Sequence, residues 1–135
     1  MYKNILVPMA LSRTQGNRSA VKVAERLLAE GGKITAIHVL DRLPAMVATA
    51  MPKDHEQTRA AETLKLLGEQ VEGPDGIEVD LVHAHPGRGI VDYAAEHDSD
   101  LIVVASSRPE LSDLFLGSTA AWVVRHAASA VQVTR

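Results

Sequence analysis

The chain has 135 residues, a formal net charge of −3, 46% hydrophobic residues and no cysteine. This length fits one domain over residues 1–135, and a content of one Trp, one Phe and two Tyr implies an aliphatic core, which suits a parallel sheet buried on both faces. The acidic balance argues against a nucleic-acid surface, and the lack of cysteine excludes disulfides and thiolate metal sites.

Nothing in the sequence predicts a membrane or secretory segment. No apolar run approaches the roughly 18 residues of a transmembrane helix. The N-terminal MYKNILVPMA has too few apolar residues before Pro8 to form a secretory signal. We therefore expect a cytoplasmic protein that has neither a membrane nor a nucleic acid as its partner.

Apolar residues recur with strand spacing and helix spacing in regular alternation along the chain. The strand candidates are short runs rich in Val, Ile and Leu, and the helix candidates carry apolar residues three and four positions apart. The resulting order is βαβαβαβαβ. Strands are predicted at residues 5–7 with Asn4, 33–40, 77–84, 101–105 and 130–134, and helices from residue 17 or 19 to 30 and at 55–71, 89–97 and 120–127.

Local signals set the boundaries between these elements. Asn17 or Ser19 is expected to cap the first helix, and Gly31-Gly32 is expected to end it. Residues 41–54 contain two prolines and several small side chains, which predict a long loop, while Gly-Pro-Asp-Gly at 73–76 predicts a turn. Polar alternation in the third strand places that strand near an edge of the sheet.

This alternation predicts an α/β fold in which a parallel sheet carries helices on both faces, joined by right-handed crossovers. Such sheets bind ligands beyond the carboxyl ends of their strands, at the point where the strand order reverses. Functional residues are therefore expected directly after the strands, at residues 8–11, 38–41, 83–88 and 105–120.

The segment after the fourth strand has the features of a phosphate site. A polar loop, SSRPELSDLFLGST, closes on Gly117-Ser118 at the start of a helix. Glycine lets an anion approach the backbone, and the free N–H groups of a helix's first turn attract the anion. The segment therefore suggests a nucleotide ligand. The alternative is structural, in which Gly117, Ser118 and Thr119 form only a tight turn and an N-cap.

The histidines do not assemble into a catalytic or metal-binding set. His83 and His85 share one strand face, but no third ligand follows at a suitable spacing, so we interpret them as surface histidines. His38 is expected to be a core or cleft histidine, and His126 lies at a helix C-terminus, which favours a cation. Because nucleophile-elbow, Walker-lysine and His-Glu-x-x-His motifs are also missing, we predict neither catalytic residues nor a metal site.

The ordered set of segments resembles the universal stress protein family over nearly the whole chain. The segments are YKNILVPMALS at the start, HVL at the end of the second strand, PGRGIVDYAAEHDSDLIVVAS, and the terminal SSRPELSDLFLGSTAAWVVRHAASAVQVTR. The pattern A-S-x-R-P followed by L-G-S is closest to the small UspF and UspG types. The residues of that pattern are Ala105, Ser106, Arg108, Pro109, Leu116, Gly117 and Ser118.

This resemblance implies a Rossmann-like sheet of five parallel strands in the order 3-2-1-4-5 and a homodimer formed through the last strand. In a monomer, Val131 and Val133 would leave an apolar edge strand exposed, and such an edge favours pairing. In one branch of the family, the resemblance also implies bound ATP. AMP and ADP are the alternative ligands, and Mg²⁺ is expected only as a companion of the nucleotide.

The loop departs from the G-x2-G-x9-G-S/T motif that ATP-binding members of the family carry. Ala105 replaces the first glycine, and the chain has one residue fewer than the motif between this position and Gly117. The second glycine position falls on Ser107 or Arg108, and only Gly117-Ser118 is intact. Many ATP-binding members also place an Asp where this chain has Ala10. We therefore expect a remodelled site with weakened affinity or an altered ribose contact.

Carried over residue by residue, the resemblance implies a nucleotide site at the ends of three strands and at one helix start. Pro8 and Ala10 follow the first strand, Val39 is at the adenine, Ala105, Ser107 and Arg108 are near the ribose and phosphates, and Gly117, Ser118 and Thr119 surround the phosphates.

Three functional hypotheses follow. The first is an adenine-nucleotide-binding, non-catalytic stress-response module, in which ATP orders the 105–119 loop and changes the surface offered to a partner. The second, favoured by Ala10, is a dimeric interaction protein whose nucleotide site has degenerated. The third is a slow ATPase, which is disfavoured because the sequence shows no metal-holding carboxylates and no positioned nucleophile.

Overall fold

The computed structural model describes residues 1–41, 46, 50, 53–71, 76–106 and 116–135, and the strands and helices follow the predicted order. Most of the predicted loop at 41–54 and most of the predicted turn at 73–76 lie outside the described residues. The elements are β1 (Tyr2–Pro8), α1 (Thr14–Leu27), β2 (Leu28–Leu40), α2 (Lys53–Gln70), β3 (Ile77–His83), α3 (Pro86–Glu96), β4 (Leu101–Ala105), α4 (Ser118–His126) and β5 (Ala130–Thr134).

The five strands form one parallel sheet in the order β3-β2-β1-β4-β5. This arrangement confirms the predicted fold class and strand order, and it places β3 at an edge, as its polar pattern indicated. β1 has β2 on one side and β4 on the other, so the chain reverses its winding direction between β1 and β4. The carboxyl ends of these two strands therefore flank the crevice in which such folds bind ligands.

Helices cover both faces of the sheet, because successive residues of each strand point to opposite sides. Ile5 and Val7 of β1 belong to a core that also contains side chains of α1 and α2, whereas Leu6 belongs to a second core that contains side chains of α3 and α4. β4 repeats this alternation, and all these strand residues are at most 4% exposed. None of the described helices is long and apolar enough to cross a membrane.

All four described helices begin before their predicted starts. α1 begins at Thr14, so the prediction of Asn17 or Ser19 as its cap was wrong and both residues lie inside the helix. Asn17 is buried there, and its side chain bonds the backbone of the preceding turn. α3 begins at Pro86 because the fixed φ of proline suits the first helical position. α4 begins at Ser118, with Gly117 as its N-cap.

β2 begins earlier than predicted because an irregularity in its pairing with β1 draws Leu28 into the sheet. Tyr2 pairs with Leu28, but Asn4 pairs with Lys33, so β2 carries extra residues over this step. Gly31 has a φ of 78°, and a Cβ on Gly32 would lie 2.9 Å from the Lys3 carbonyl oxygen. The glycine pair therefore lies inside an irregular strand and does not end the helix.

A polar cluster at the amino end of the sheet holds β1 beside the turn that precedes β4. The Asp100 carboxylate accepts hydrogen bonds from the backbone N–H groups of Lys3 (2.9 Å) and Asn4 (3.0 Å). The Asn4 amide donates to the carbonyl oxygens of His97 (2.6 Å) and Asp98 (3.2 Å). These contacts tie together the two strands whose opposite ends form the crevice.

Candidate functional site

A cavity of about 320 Å³ lies at the carboxyl ends of β1, β2 and β4. Its position matches the predicted switch point, and its described lining comes from these strand ends, the β1–α1 turn and the beginnings of α1, α3 and α4. The lining residues are Pro8, Met9, Ala10, Arg13, Asn17, His38, Val39, Pro86, Ile90, Val104, Ala105, Thr119 and Ala120.

The cavity brings together several of the predicted site residues, namely Pro8, Ala10, Val39, Ala105 and Thr119. Gly117 and Ser118 directly precede Thr119 but are not part of the described lining, and the Ser118 side chain is exposed. Ser107 and Arg108 lie outside the described residues.

Arg13 and Asn17 line the cavity but were not predicted as site residues. The sequence pattern predicts a later start for α1, with Arg13 in an unspecified loop and Asn17 as a cap. Because α1 begins at Thr14, Arg13 is its N-cap residue and both side chains lie beside the β1–α1 turn. The signal that the sequence offered was their position directly after the first strand.

The β1–α1 turn is held by a pair of amide side chains, Asn17 of α1 and Gln70 of α2, which we call the amide clamp. Asn17 is 2% exposed. Its amide donates to the Ala10 carbonyl oxygen (2.7 Å) and accepts from the Ala10 N–H (3.2 Å). The Asn17 amide also donates to the Gln70 side-chain oxygen, and the Gln70 amide donates to the Leu11 carbonyl oxygen (3.2 Å). The clamp thus satisfies the backbone polar groups of a turn that lies outside the sheet.

His38, at the end of β2, is half-buried and lines the cavity, as expected of a cleft histidine. Its Nδ1 lies 2.7 Å from the Met9 carbonyl oxygen. Because a carbonyl oxygen only accepts, Nδ1 carries the proton, and Nε2 is the acceptor nitrogen of the neutral ring. The hydrogen bond therefore fixes both the tautomer and the orientation of the ring beside the cavity.

Three helices contribute N-terminal residues to the cavity lining: Arg13 at the start of α1, Pro86 at the start of α3 and Thr119 at the start of α4. None of the three has an acidic residue in its first turn or a side-chain cap hydrogen bond. By contrast, α2 contributes nothing to the described lining and has Asp54 and Glu56 in its first turn. The partial positive charges of the three helix ends therefore remain unneutralised by their own residues, which favours an anionic ligand.

The start of α4 has its N-cap within Gly117-Ser118-Thr119, as the structural alternative predicted, but neither the serine nor the threonine is the cap residue. Gly117 is the N-cap residue, with a φ of −55° and a ψ of 154°, and no side chain caps the helix. Ser118 and Thr119 therefore occupy the first turn itself. Their backbone N–H groups have no acceptor within the helix, because the first turn of any α-helix leaves its N–H groups unpaired.

Trp122 connects α4 to the start of α3 beside the cavity. Its ring stacks on His126, with centroids 4.0 Å apart, and lies 6.0 Å from the ring of His85 at a tilt of 57°. A Cβ on Gly87 would lie 2.6 Å from the Trp122 Cγ, so this contact requires glycine. His83 and His85 are both exposed. Within the described residues, no group of three or more His, Asp or Glu side chains is placed to hold a metal ion.

Comparison with known proteins gives a consistent result over the full length. Residues 1–135 match the Universal stress protein family. The chain is 29% identical over 142 residues to Universal stress protein G of Salmonella typhimurium, with 100% of both chains covered.

Solved structures show the same fold. The hypothetical protein PH0823 is 27% identical, with a TM-score of 0.75 over 98% of this chain and 95% of that chain. A universal stress protein solved in complex with cAMP is 21% identical, with a TM-score of 0.71 over 99% of this chain and 97% of that chain. Because the family match spans every residue and the sheet has the predicted strand order, the chain belongs to the universal stress protein family.

Proposed function

We propose that the protein binds an adenine nucleotide (ATP, ADP or AMP) in this cavity and acts as a non-catalytic module of the stress response. The observation that carries the proposal is the convergence of three helix N-termini without acidic residues in their first turns. Aligned peptide dipoles and free first-turn N–H groups favour a phosphate at such a place. The structural neighbour solved with cAMP supports an adenine nucleotide as the ligand class.

The lining supports an orientation of the nucleotide across the switch point. Val39, Pro86 and Ile90 contribute apolar side chains to the cavity lining, and such side chains suit an adenine ring. Pro8 and Ala10 lie at the end of β1. Toward α4, we place the ribose and phosphates near Ala105, Ser107 and Arg108, with the terminal phosphates around Gly117, Ser118 and Thr119.

The side chains of the described lining support binding more than hydrolysis. Efficient phosphoryl transfer uses metal-holding carboxylates and a positioned nucleophile. The described lining contains neither Asp nor Glu, and the proton on the His38 Nδ1 is engaged with the Met9 carbonyl oxygen. A slow ATPase therefore stays the disfavoured alternative.

Calorimetric titration of the purified chain with ATP, ADP and AMP tests the proposal, with GTP as the matched control for the base. We expect measurable heat and a rise in melting temperature with the adenine nucleotides, because a ligand at 100 times its Kd stabilises the folded state by about 2.7 kcal/mol. If millimolar ligand produces no heat and no thermal shift, the nucleotide proposal fails. The second hypothesis, a dimeric interaction protein with a degenerate site, then remains, and the apolar side chain of Ala10 favours it.

The placement of the phosphates is tested by Ser118→Ala and Arg108→Ala. Both substitutions are expected to weaken nucleotide binding, since each removes a polar group from the proposed phosphate region. Unchanged affinity in both variants would mean that the phosphates lie elsewhere in the cavity.

We also propose that the protein forms a homodimer through β5. Within the described chain, β5 pairs only with β4, and Val131 and Val133 are half-buried on this edge strand. An apolar strand edge favours pairing with a second copy. Light scattering after deletion of residues 131–135 is expected to show a monomer, with circular dichroism as the control for folding. A dimer that persists would place the interface elsewhere.

A further inference from the structure

The described lining of the cavity has one permanently charged side chain and no carboxylate. The charged residue is Arg13, which is half-buried, and the remaining polar lining side chains are those of Asn17, His38 and Thr119. Asp and Glu are missing from this lining, although the whole chain has 17 of them against 14 Lys and Arg. The local charge therefore has the opposite sign to the charge of the chain.

These residues do not fit a magnesium ion. Proteins hold Mg²⁺ beside a nucleotide with one or two carboxylates in addition to the phosphate oxygens. In the described lining, the Asn17 amide is already bonded to Ala10 and to Gln70, and His38 is bonded through Nδ1 to Met9. Ala10 has no polar side-chain atom. The hydroxyl of Thr119 is then the one remaining side-chain oxygen, which is too few for a Mg²⁺ site.

Arg13 occupies an electrostatically unfavourable position when no ligand is bound. As the N-cap residue of α1, it places a cation at the positive end of a helix dipole, where a carboxylate would be favoured. The first turn of α1 has no acidic residue, and Arg13 takes part in no ion pair among the described residues. A bound anion would relieve the repulsion between the Arg13 guanidinium and the positive end of the helix dipole. Guanidinium groups bind phosphate oxygens in a bidentate manner.

We propose that Arg13 binds the phosphates directly and that the nucleotide binds to this protein without magnesium. The proposal rests on the adenine-nucleotide site proposed above and adds the residue and the charge state of the ligand. In this arrangement Arg13 neutralises phosphate charge from the β1–α1 side, opposite the start of α4. The free nucleotide anion is then the ligand, and its magnesium complex binds no better.

The first test removes the charge of Arg13. Arg13→Gln is expected to weaken AMP and ATP binding about tenfold, because a hydrogen bond to a charged group is lost. Adenosine, which has no phosphate, should bind the variant and the wild type equally well. Arg18→Gln is the matched control, because Arg18 is an exposed arginine of the same helix and its loss changes the net charge equally. Arg13→Lys should recover only part of the affinity, since it keeps the cation but loses the bidentate geometry of the guanidinium.

The second test needs no variant. ATP titrated into the wild-type chain in EDTA is expected to bind at least as tightly as ATP in excess MgCl₂. A tenfold preference for the magnesium complex overturns the proposal and leaves the nucleotide site intact. Equal losses of adenosine and AMP binding in Arg13→Gln, or equal effects of Arg13→Gln and Arg18→Gln, also overturn it. If none of the adenine nucleotides binds at all, the proposed function fails together with this inference.

Discussion

The two sides of the cavity satisfy their backbone polar groups in opposite ways. On the β1–α1 side, the amide clamp takes up the polar groups of Ala10 and the carbonyl oxygen of Leu11. On the α4 side, Gly117 starts the helix and no side chain caps it. The backbone groups of Ala10 and Leu11 are therefore satisfied without a ligand, whereas the start of α4 offers free N–H groups to one. Substitutions in the amide clamp should change stability, and those at the start of α4 should change affinity.

Loss of the clamp is expected to have the largest effect on stability. Asn17→Ala removes buried hydrogen bonds and leaves the Ala10 backbone groups unsatisfied, so we expect the free energy of unfolding to fall by about 3 kcal/mol. Urea unfolding followed by circular dichroism measures this change. Ser19→Ala, at an exposed position of the same helix, should stay within about 0.5 kcal/mol of the wild type. Equal values for the two variants would contradict a structural role of the clamp.

A methyl group at Gly87 should disturb the second side through packing. Its Cβ would lie 2.6 Å from the Trp122 Cγ, so Gly87→Ala forces α3 and α4 apart and should cost about 2 kcal/mol. Because α4 carries Thr119 into the cavity, nucleotide affinity should fall as well.

Gly68→Ala provides the control of opposite sign. Nothing lies within 4 Å of a Cβ at that position of α2, and alanine favours a helix by about 0.8 kcal/mol over glycine. Its melting temperature should therefore rise while that of Gly87→Ala falls. A Gly87→Ala variant as stable as the wild type would show that the two helices separate at no cost.

A proline at Ser118 separates affinity from stability on the second side. Proline suits the first helical position, and the extended backbone of Gly117 suits a residue before proline. Ser118→Pro should therefore keep the free energy of unfolding within about 0.5 kcal/mol of the wild type. It also removes one free N–H group, so we expect about tenfold weaker ATP binding by calorimetry. An affinity equal to that of Ser118→Ala would show that the N–H group does not contact the ligand.

The smallest effect on nucleotide affinity is expected at Tyr93, which lies away from both sides of the cavity. Burial, followed by the hydrogen bond from its hydroxyl to Asp80 (3.0 Å), raises the pKa of Tyr93 from 10.0 to about 12. The folded state thus favours the neutral phenol. The resulting stabilisation is complete below pH 10 and is lost as the pH rises from about 10 to about 12.

Absorbance titration in a Tyr2→Phe background isolates Tyr93, because the chain has two tyrosines. Asp80→Asn should lower the pKa of Tyr93, because it removes the charge of the acceptor. ATP affinity should not change in this variant, because neither residue lines the described cavity. A changed ATP affinity would mean that the binding site extends beyond the two sides of the cavity.

The predicted strands and helices followed from local patterns, and the ends of the strands gave part of the site. The strand ends predicted the ranges 8–11, 38–41 and 105–120, and Pro8, Val39 and Ala105 from these ranges line one cavity because parallel strands end at one edge of the sheet. Their roles towards a nucleotide came from the family resemblance alone. The clamp was not predictable, because Asn17 and Gln70 are 53 residues apart and their pairing leaves no periodic signal. Arg13 was missed because Asn17 was interpreted as the helix cap, which left Arg13 in the preceding loop. The Asn17 side chain in fact bonds backwards to Ala10, whereas a capping asparagine would bond forwards into the helix.

The packing of Trp122 makes it an intrinsic fluorescence probe of the cavity. It is the single tryptophan of the chain, is 38% exposed and lies on α4 three residues after Thr119. Indole emission responds both to solvent and to a stacked imidazole, and the Trp122 ring contacts His126 as well as the start of α3. A ligand that shifts the start of α4 should therefore change the emission of the unlabelled protein. Binding kinetics at the cavity are then measurable by stopped-flow mixing without an attached dye.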